Sequence, residues 1–115
     1  MLIRNVYTCK RDFEKSHNGI GSLEKVRAFS KKDFKTNLDF IDYVIVKPGE
    51  TIGEHIHGDN EEIYFFIEGC GTMLIGNEKI HVSEGDIAVN SFQESHGLIN
   101  NGNIPIKILI FQVNN

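Results

Sequence analysis

Short apolar segments separated by glycine and asparagine dominate this chain and limit the folds it can adopt. The 115 residues include 11 glycines and only 2 prolines. Turn signals recur about every 8–12 residues, a spacing typical of all-β sandwiches and barrels. No long stretch has the i, i+3, i+4, i+7 apolar pattern of an amphipathic helix. The sequence therefore predicts an all-β fold, with strands at 26–29, 40–47, 51–57, 62–68, 71–76, 79–82, 86–91, 97–100 and 104–113.

Length and composition favour one domain spanning residues 1–115, with residues 40–113 as the barrel core. Hydrophobic residues make up 40% of the chain, enough for one core. Residues 1–22 are weakly patterned and form an N-terminal arm that could be loose, add an edge strand or cover an opening as a lid. Residues 30–37 could form one helical turn capped by Ser30.

Charge and hydropathy argue against two classes of partner. The formal net charge is −4 and the basic residues are scattered, whereas nucleic-acid binding usually needs a basic stripe. No apolar run reaches the length of about 18 residues that a transmembrane helix requires. The N-terminus lacks the apolar core of a signal peptide, so we expect a cytoplasmic protein that binds neither nucleic acid nor membrane.

A His-x-His pair followed by acidic residues is the first candidate site. Side chains alternate along a strand, so His55 and His57 leave the same face. Glu61 and Glu62 are rival carboxylates. Glu62 has the same parity as the inward-facing Tyr64, and we therefore prefer it.

The neighbouring tract of aromatic and aliphatic residues indicates how this strand is packed. Phe66 shares the inward face of Tyr64. Ile63, Phe65 and Ile67 take the other face. Because both faces are apolar, the pattern predicts a central strand covered on both sides, with Phe65 in a core.

A third histidine could join the pair from another strand. His96 follows a polar turn and opens the predicted strand at 97–100. Three imidazoles and one carboxylate suit one divalent transition metal: Mn, Fe, Co, Ni, Cu or Zn. Considered alone, His55 and His57 could instead be polar residues on the outer face of a surface strand.

These two segments resemble the two motifs of the cupin superfamily. The first motif, G-x5-H-x-H-x4-E-x6-G, matches at every spacing through Gly49, His55, His57, Glu62 and Gly69. The second motif, G-x5-P-x-G-x2-H-x3-N, matches at Gly85, His96 and Asn100. Ser91 replaces the usual proline and Gln93 the usual glycine, departures that affect a turn and no ligand.

The resemblance implies a double-stranded β-helix, the cupin jelly-roll barrel, in which two sheets enclose a pocket. It implies metal-ligand roles for His55, His57, Glu62 and His96. It further implies turn roles for Gly49, Gly69 and Gly85, and a structural role near the site for Asn100. Small cupins often form homodimers by sharing N-terminal strands, so the arm at 1–22 could be exchanged between two copies.

An octahedral ion with four protein ligands retains about two positions for a bidentate small molecule. The sequence therefore favours a metal-dependent enzyme acting on a small oxygenated metabolite, as an isomerase, lyase, decarboxylase or dioxygenase. The alternatives are a non-catalytic binding or sensing module and a structural cupin that mainly dimerises. Tyr64 is the candidate catalytic residue, as general acid/base or hydrogen-bond donor, and could instead be a core tyrosine.

Several other residues are candidates for the pocket. Phe66, Phe92 and Phe40 would make its lining apolar, although each could simply pack in the core. Arg27, Lys47 and Lys107 are possible cations at its rim. His17 could reach the mouth as a lid residue, or be a solvated loop histidine, whereas His81 should face outward.

Overall fold

Ten strands form almost all the regular structure in the computed structural model, which describes residues 1–115. The strands are β1 (Asp12–Glu14), β2 (Leu23–Ser30), β3 (Leu38–Val46), β4 (Thr51–Ile56), β5 (Asn60–Glu68), β6 (Gly71–Ile75), β7 (Glu78–Val82), β8 (Ile87–Asn90), β9 (Ser95–Ile99) and β10 (Ile106–Asn114). Two short 3₁₀ turns lie at Ser16–Asn18 and Lys31–Asp33. The predicted all-β class is confirmed. No helix is long and apolar enough to span a membrane.

The strands form two antiparallel sheets. One has six strands in the order β1-β2-β3-β10-β5-β8, and the other has four in the order β4-β9-β6-β7. Strands that are neighbours in sequence often lie in different sheets, as β4 and β5 do. The chain therefore winds between the two sheets and brings short, distant segments to one interior.

Each predicted strand overlaps an observed one, with ends that differ by at most three residues. The N-terminal arm adds the edge strand β1, which pairs with β2, and so follows one of the options left open by its weak pattern. The predicted helical turn at 30–37 is limited to Lys31–Asp33, where the backbone N–H of Ser30 donates to the Asp33 carboxylate at 3.0 Å.

The core lies between the two sheets. Twelve buried residues form one cluster: Leu23, Val44, Val46, Ile52, Tyr64, Phe66, Met73, Val82, Leu98, Ile106, Ile108 and Ile110. Tyr64 and Phe66 are buried on the inner face of β5, as strand parity predicted. This packing holds β5 firmly in one register, which in turn directs Glu62 inward.

The prediction that β5 is covered on both faces was wrong. The strand is internal to its sheet, between β10 and β8, but Phe65 on the outer face is 37% exposed. Ile87 and Val89 on the adjacent β8 are 68% and 58% exposed. No third layer packs on this side, because the chain places its remaining strands in the facing sheet. An apolar residue at an outward position was therefore mistaken for a core residue.

Asn100 joins segments that are far apart in sequence. Its side-chain nitrogen donates to the carbonyl oxygens of Val46 at 2.8 Å and Ile104 at 2.9 Å. Its side-chain oxygen accepts from the backbone N–H of Gly102 at 3.0 Å. The residue is buried, and its bond to Val46 is shielded from water. Asn100 therefore has a structural role, although its partners belong neither to the cluster of candidate metal ligands nor to the cavity lining.

Candidate metal centre

Four side chains from three strand regions meet inside the fold. His55 lies on β4 and His57 just after it, whereas His96 lies on β9, directly opposite His55 in the strand register. Glu62 comes from β5 in the facing sheet. Their ligand atoms all lie within 4.8 Å of one another. His57, Glu62 and His96 are buried, which does not fit a polar pair on an outer strand face.

The hydrogen bonds of His55 and His57 set the tautomer of each ring. His55 Nδ1 lies 2.8 Å from the carbonyl oxygen of Gly53, and His57 Nδ1 lies 2.7 Å from the side-chain oxygen of Asn60. Because oxygens of this kind accept, each Nδ1 carries the proton. Each Nε2 therefore presents a bare lone pair, and these two nitrogens are 3.0 Å apart.

Two lone pairs at that separation repel each other unless a proton or a metal ion lies between them. Burial and, to a smaller extent, the neighbouring histidines lower the pKa of His55 to about 4, and the hydrogen bond to the Gly53 carbonyl only partly opposes them. The ring is therefore neutral near pH 7. Neither nitrogen of the fully buried His96 has a hydrogen-bond partner. A neutral His96 ring has one lone pair, and its Nε2, which faces Glu62, can supply it to a divalent metal together with the Nε2 atoms of His55 and His57.

Glu62 supplies the negative charge of the cluster. Its Oε1 lies 3.1 Å from His57 Nε2 and 3.4 Å from His96 Nε2. Burial alone would raise the pKa of Glu62, but the facing imidazoles outweigh burial and the pKa is lowered. The group is therefore a carboxylate at neutral pH. Glu61 lies outside the cluster, in agreement with the parity argument.

A cavity of about 240 Å³ opens beside the cluster. His57 and Glu62 form part of its wall, and Tyr64 and Phe40 also line it. Phe66 belongs to the buried core instead. The placement of Phe92 in the lining was wrong: this side chain is 48% exposed, because its turn carries it outward.

Of the three predicted rim cations, only Arg27 reaches the cavity. It is held by two 2.9 Å hydrogen bonds to the buried Asp42 carboxylate, and its guanidinium lies 4.4 Å from the centre of the Phe40 ring. The predictions for the other two were wrong. Lys47 is exposed away from the cavity, and Lys107 forms a 2.8 Å ion pair with Glu68 on the outer face.

Tyr64 is both a core residue and a cavity residue. It is 1% exposed, and its ring centre lies 5.9 Å from that of His96. Burial raises the pKa of Tyr64 well above its usual value, and the Glu62 carboxylate raises it further. The hydroxyl therefore stays protonated near neutral pH, which suits a hydrogen-bond donor or general acid.

His17 lies at the mouth of the cavity. Its ring stacks on His55 with centroids 3.4 Å apart and planes within 8° of parallel, although the residue as a whole remains exposed. The structure therefore fits the lid position considered for His17 better than the alternative of a solvated loop histidine. His81 is exposed on β7, as expected.

Two contacts of this site were not predicted. Arg27 and Asp42 are opposite each other in the β2–β3 register, so a correct pairing of these strands would have revealed their ion pair. The contact of Asn60 with His57 depends on the path of the β4–β5 connection, for which the sequence contains no comparable signal.

Comparison with known proteins identifies the family of this chain. A family model for the cupin domain matches residues 42–111. The chain belongs to the cupin family. Crystal structures with low sequence identity share its fold, so the double-stranded β-helix of this cupin is confirmed. One is a predicted oxalate decarboxylase from Thermotoga maritima, with a TM-score of 0.94, 22% identity and full coverage of both chains. Another is a cupin 2 conserved barrel domain protein from Salinispora arenicola, with a TM-score of 0.78, 17% identity and coverage of 99% and 89%.

Two relatives resemble this cupin in sequence. An uncharacterised protein of Methanocaldococcus jannaschii is 42% identical over 65 residues, which is 56% of this chain and 52% of that protein. An oxalate-binding protein of Thermotoga maritima is 24% identical over 109 residues, which is 95% of this chain and 90% of that protein. The match therefore spans about half of the first relative and nearly all of the second.

Proposed function

We propose that this cupin binds one divalent transition metal and acts as an enzyme on a small oxygenated metabolite that coordinates the same ion. His55, His57, Glu62 and His96 would hold the metal. The observation that carries the proposal is the pair of bare Nε2 atoms 3.0 Å apart, next to a buried carboxylate. Mn, Fe, Co, Ni, Cu and Zn all suit this set of donors.

The cavity supports a small anionic substrate. When bound, the metal would polarise substrate oxygens and stabilise developing negative charge. The ionisable groups lining the cavity besides histidine and tyrosine are three acids and two bases: Glu14, Asp42, Glu62, Lys25 and Arg27. A divalent ion would therefore make the net charge of the lining positive. That charge favours a carboxylate.

The chain's own groups would orient such a molecule. The protonated Tyr64 hydroxyl can donate to a substrate oxygen, and Arg27 is fixed in direction by Asp42. The matches from Thermotoga maritima, which are named an oxalate-binding protein and a predicted oxalate decarboxylase, favour the same ligand class. We therefore propose a small dicarboxylate, 2-hydroxy acid or 2-oxo acid as the substrate.

Metal analysis of protein purified without a nickel column tests the metal site. We expect about one ion per chain in the wild type and almost none in Glu62→Gln, which keeps the side-chain shape but loses the charge. Glu61→Gln is the matched control and should retain the metal, since this neighbour lies outside the cluster. A full complement of metal in Glu62→Gln would refute the proposal.

A non-catalytic binding cupin is the second candidate. It is favoured by the burial of Tyr64 in the core cluster, which is equally consistent with a packing role. The variant Tyr64→Phe separates the two. In an enzyme it should sharply reduce turnover of a carboxylate followed by NMR. In a binding module, calorimetry should detect metal-dependent oxalate binding with nearly the same affinity in Tyr64→Phe and in the wild type. Neither protein should then show turnover.

We also propose that this cupin is a homodimer. The apolar side chains on the outer face of β5 and β8, with Phe65, Ile87 and Val89 among them, are exposed in the single chain, and a second copy could cover them. Light scattering should give about twice the chain mass of 13.0 kDa.

A further inference from the structure

The Ser16–Asn18 turn brings a fourth histidine, His17, to the metal cluster. His17 lines the cavity and lies face to face on the ring of His55, with centroids 3.4 Å apart. The contact is between ring faces, so it leaves His55 Nε2 directed at the cluster. A side chain from the N-terminal arm therefore covers one of the four candidate ligands without competing for its metal-facing atom.

The backbone of this turn is strained. His17 has φ 49° and ψ 44°, and the next residue, Asn18, has φ 59°. Residues other than glycine rarely adopt the left-handed backbone region. Two such residues in succession persist only when surrounding contacts impose this conformation. Such strain tends to accumulate at functional sites, and here the strained turn places the His17 ring against His55.

Contacts with β4 impose this conformation. The backbone N–H of Ile20 donates to the Thr51 hydroxyl at 2.7 Å, and the backbone N–H of Thr51 donates to the carbonyl of Ile20 at 3.0 Å. At Gly53 a Cβ atom would collide with the His17 carbonyl oxygen. The turn is therefore fitted to the strand that carries His55, and glycine at position 53 allows that close approach.

We propose that His17 is a positioning residue that holds the His55 ring in its metal-binding orientation and shields it from water. This inference rests on the proposed metal site. The hydrogen bond from His55 Nδ1 to Gly53 restrains one edge of the ring, and stacking on His17 restrains its plane. Together they would keep Nε2 aimed at the ion and slow its release.

Cobalt release tests this role in the full-length protein. Cobalt-loaded wild type, His17→Ala, His17→Phe and His81→Ala are mixed with excess EDTA, and the visible absorption of the bound ion is followed. Loss of a group that orients a ligand typically weakens metal binding by about 10–100-fold. We expect His17→Ala to release cobalt faster by that order, and His17→Phe, which retains a stacking ring, to resemble the wild type.

The exposed histidine at position 81 provides the control, and His81→Ala should release cobalt at the wild-type rate. Cobalt release from His17→Ala at the wild-type rate would overturn the proposal. Release from His17→Phe as fast as from His17→Ala would also overturn it, because a ring nitrogen rather than the stacked ring would then be required.

The metal-free protein gives an independent test by NMR of its histidine rings. The Nδ1 proton of His55 should exchange slowly with water in the wild type and in His17→Phe, and rapidly in His17→Ala. Equal exchange in all three would overturn the role of His17. If the wild type bound no cobalt, the proposed function would fail, and this exchange measurement would still decide whether His17 holds His55.

Discussion

At the scale of single residues, the direction of each imidazole determines what the cluster can bind. The His57 ring is oriented by the 2.7 Å contact between its Nδ1 and the side-chain oxygen of Asn60. Loss of such a partner typically lowers metal affinity by about 10–100-fold. We expect Asn60→Ala to show this loss in competition with a chelator, and Asn77→Ala, an exposed asparagine in the β6–β7 turn, to show none. Equal affinities would contradict the role of Asn60.

The half-buried imidazole of His55 also predicts how the metal-free protein responds to acid. Burial lowers the pKa of His55 from 6.5 to about 4, so the unfolded chain binds a proton at this site more readily than the folded chain. Stability from this residue is therefore complete above about pH 6.5 and is lost as the pH falls towards 4. Thermal melts in EDTA should show this decline, and His55→Gln should reduce it. An unchanged pH dependence in His55→Gln would contradict the assignment.

At the scale of elements, the turns between strands depend on left-handed backbone positions. Gly85 has φ 90°, and a Cβ added there would meet no neighbouring atom. Gly85→Ala should therefore lower the free energy of unfolding by the backbone cost alone, about 1–2 kcal/mol. Urea unfolding measures this change. Gln93 has φ 63° at a position where the cupin motif usually has glycine, so Gln93→Gly should shift stability in the opposite direction. A free energy of unfolding in Gly85→Ala equal to that of the wild type would contradict this strain argument.

At the scale of the whole molecule, the cluster links the two sheets. His55 and His96 belong to the four-stranded sheet, and Glu62 belongs to the six-stranded one. A metal that binds only the folded state stabilises it by about 4 kcal/mol when present at 1,000 times its dissociation constant. EDTA should therefore lower the melting temperature of the wild type, and added metal should restore it. The melting temperature of Glu62→Gln should respond to neither, and a metal-dependent shift in this variant would count against the link.

Local patterns in the sequence were sufficient to predict the direction of many side chains and the positions of the turns in this protein. The two-residue period of a strand selected Glu62 over Glu61 and directed Tyr64 and Phe66 inward, because register is fixed once one face is buried. Glycine positions located the turns, as the positive φ angles of Gly49, Gly69 and Gly85 show. These features depend on neighbours within a few residues.

Only the tertiary structure determined which surfaces are covered and which distant groups meet. Phe65 is apolar yet exposed because no further layer packs against its side of the molecule, and Phe92 is exposed because its turn carries it outward. His17 reaches His55 because the arm folds back onto β4. The physical reason is that alternation decides the direction of a side chain, whereas burial and long-range contact depend on what the rest of the chain places in front of it.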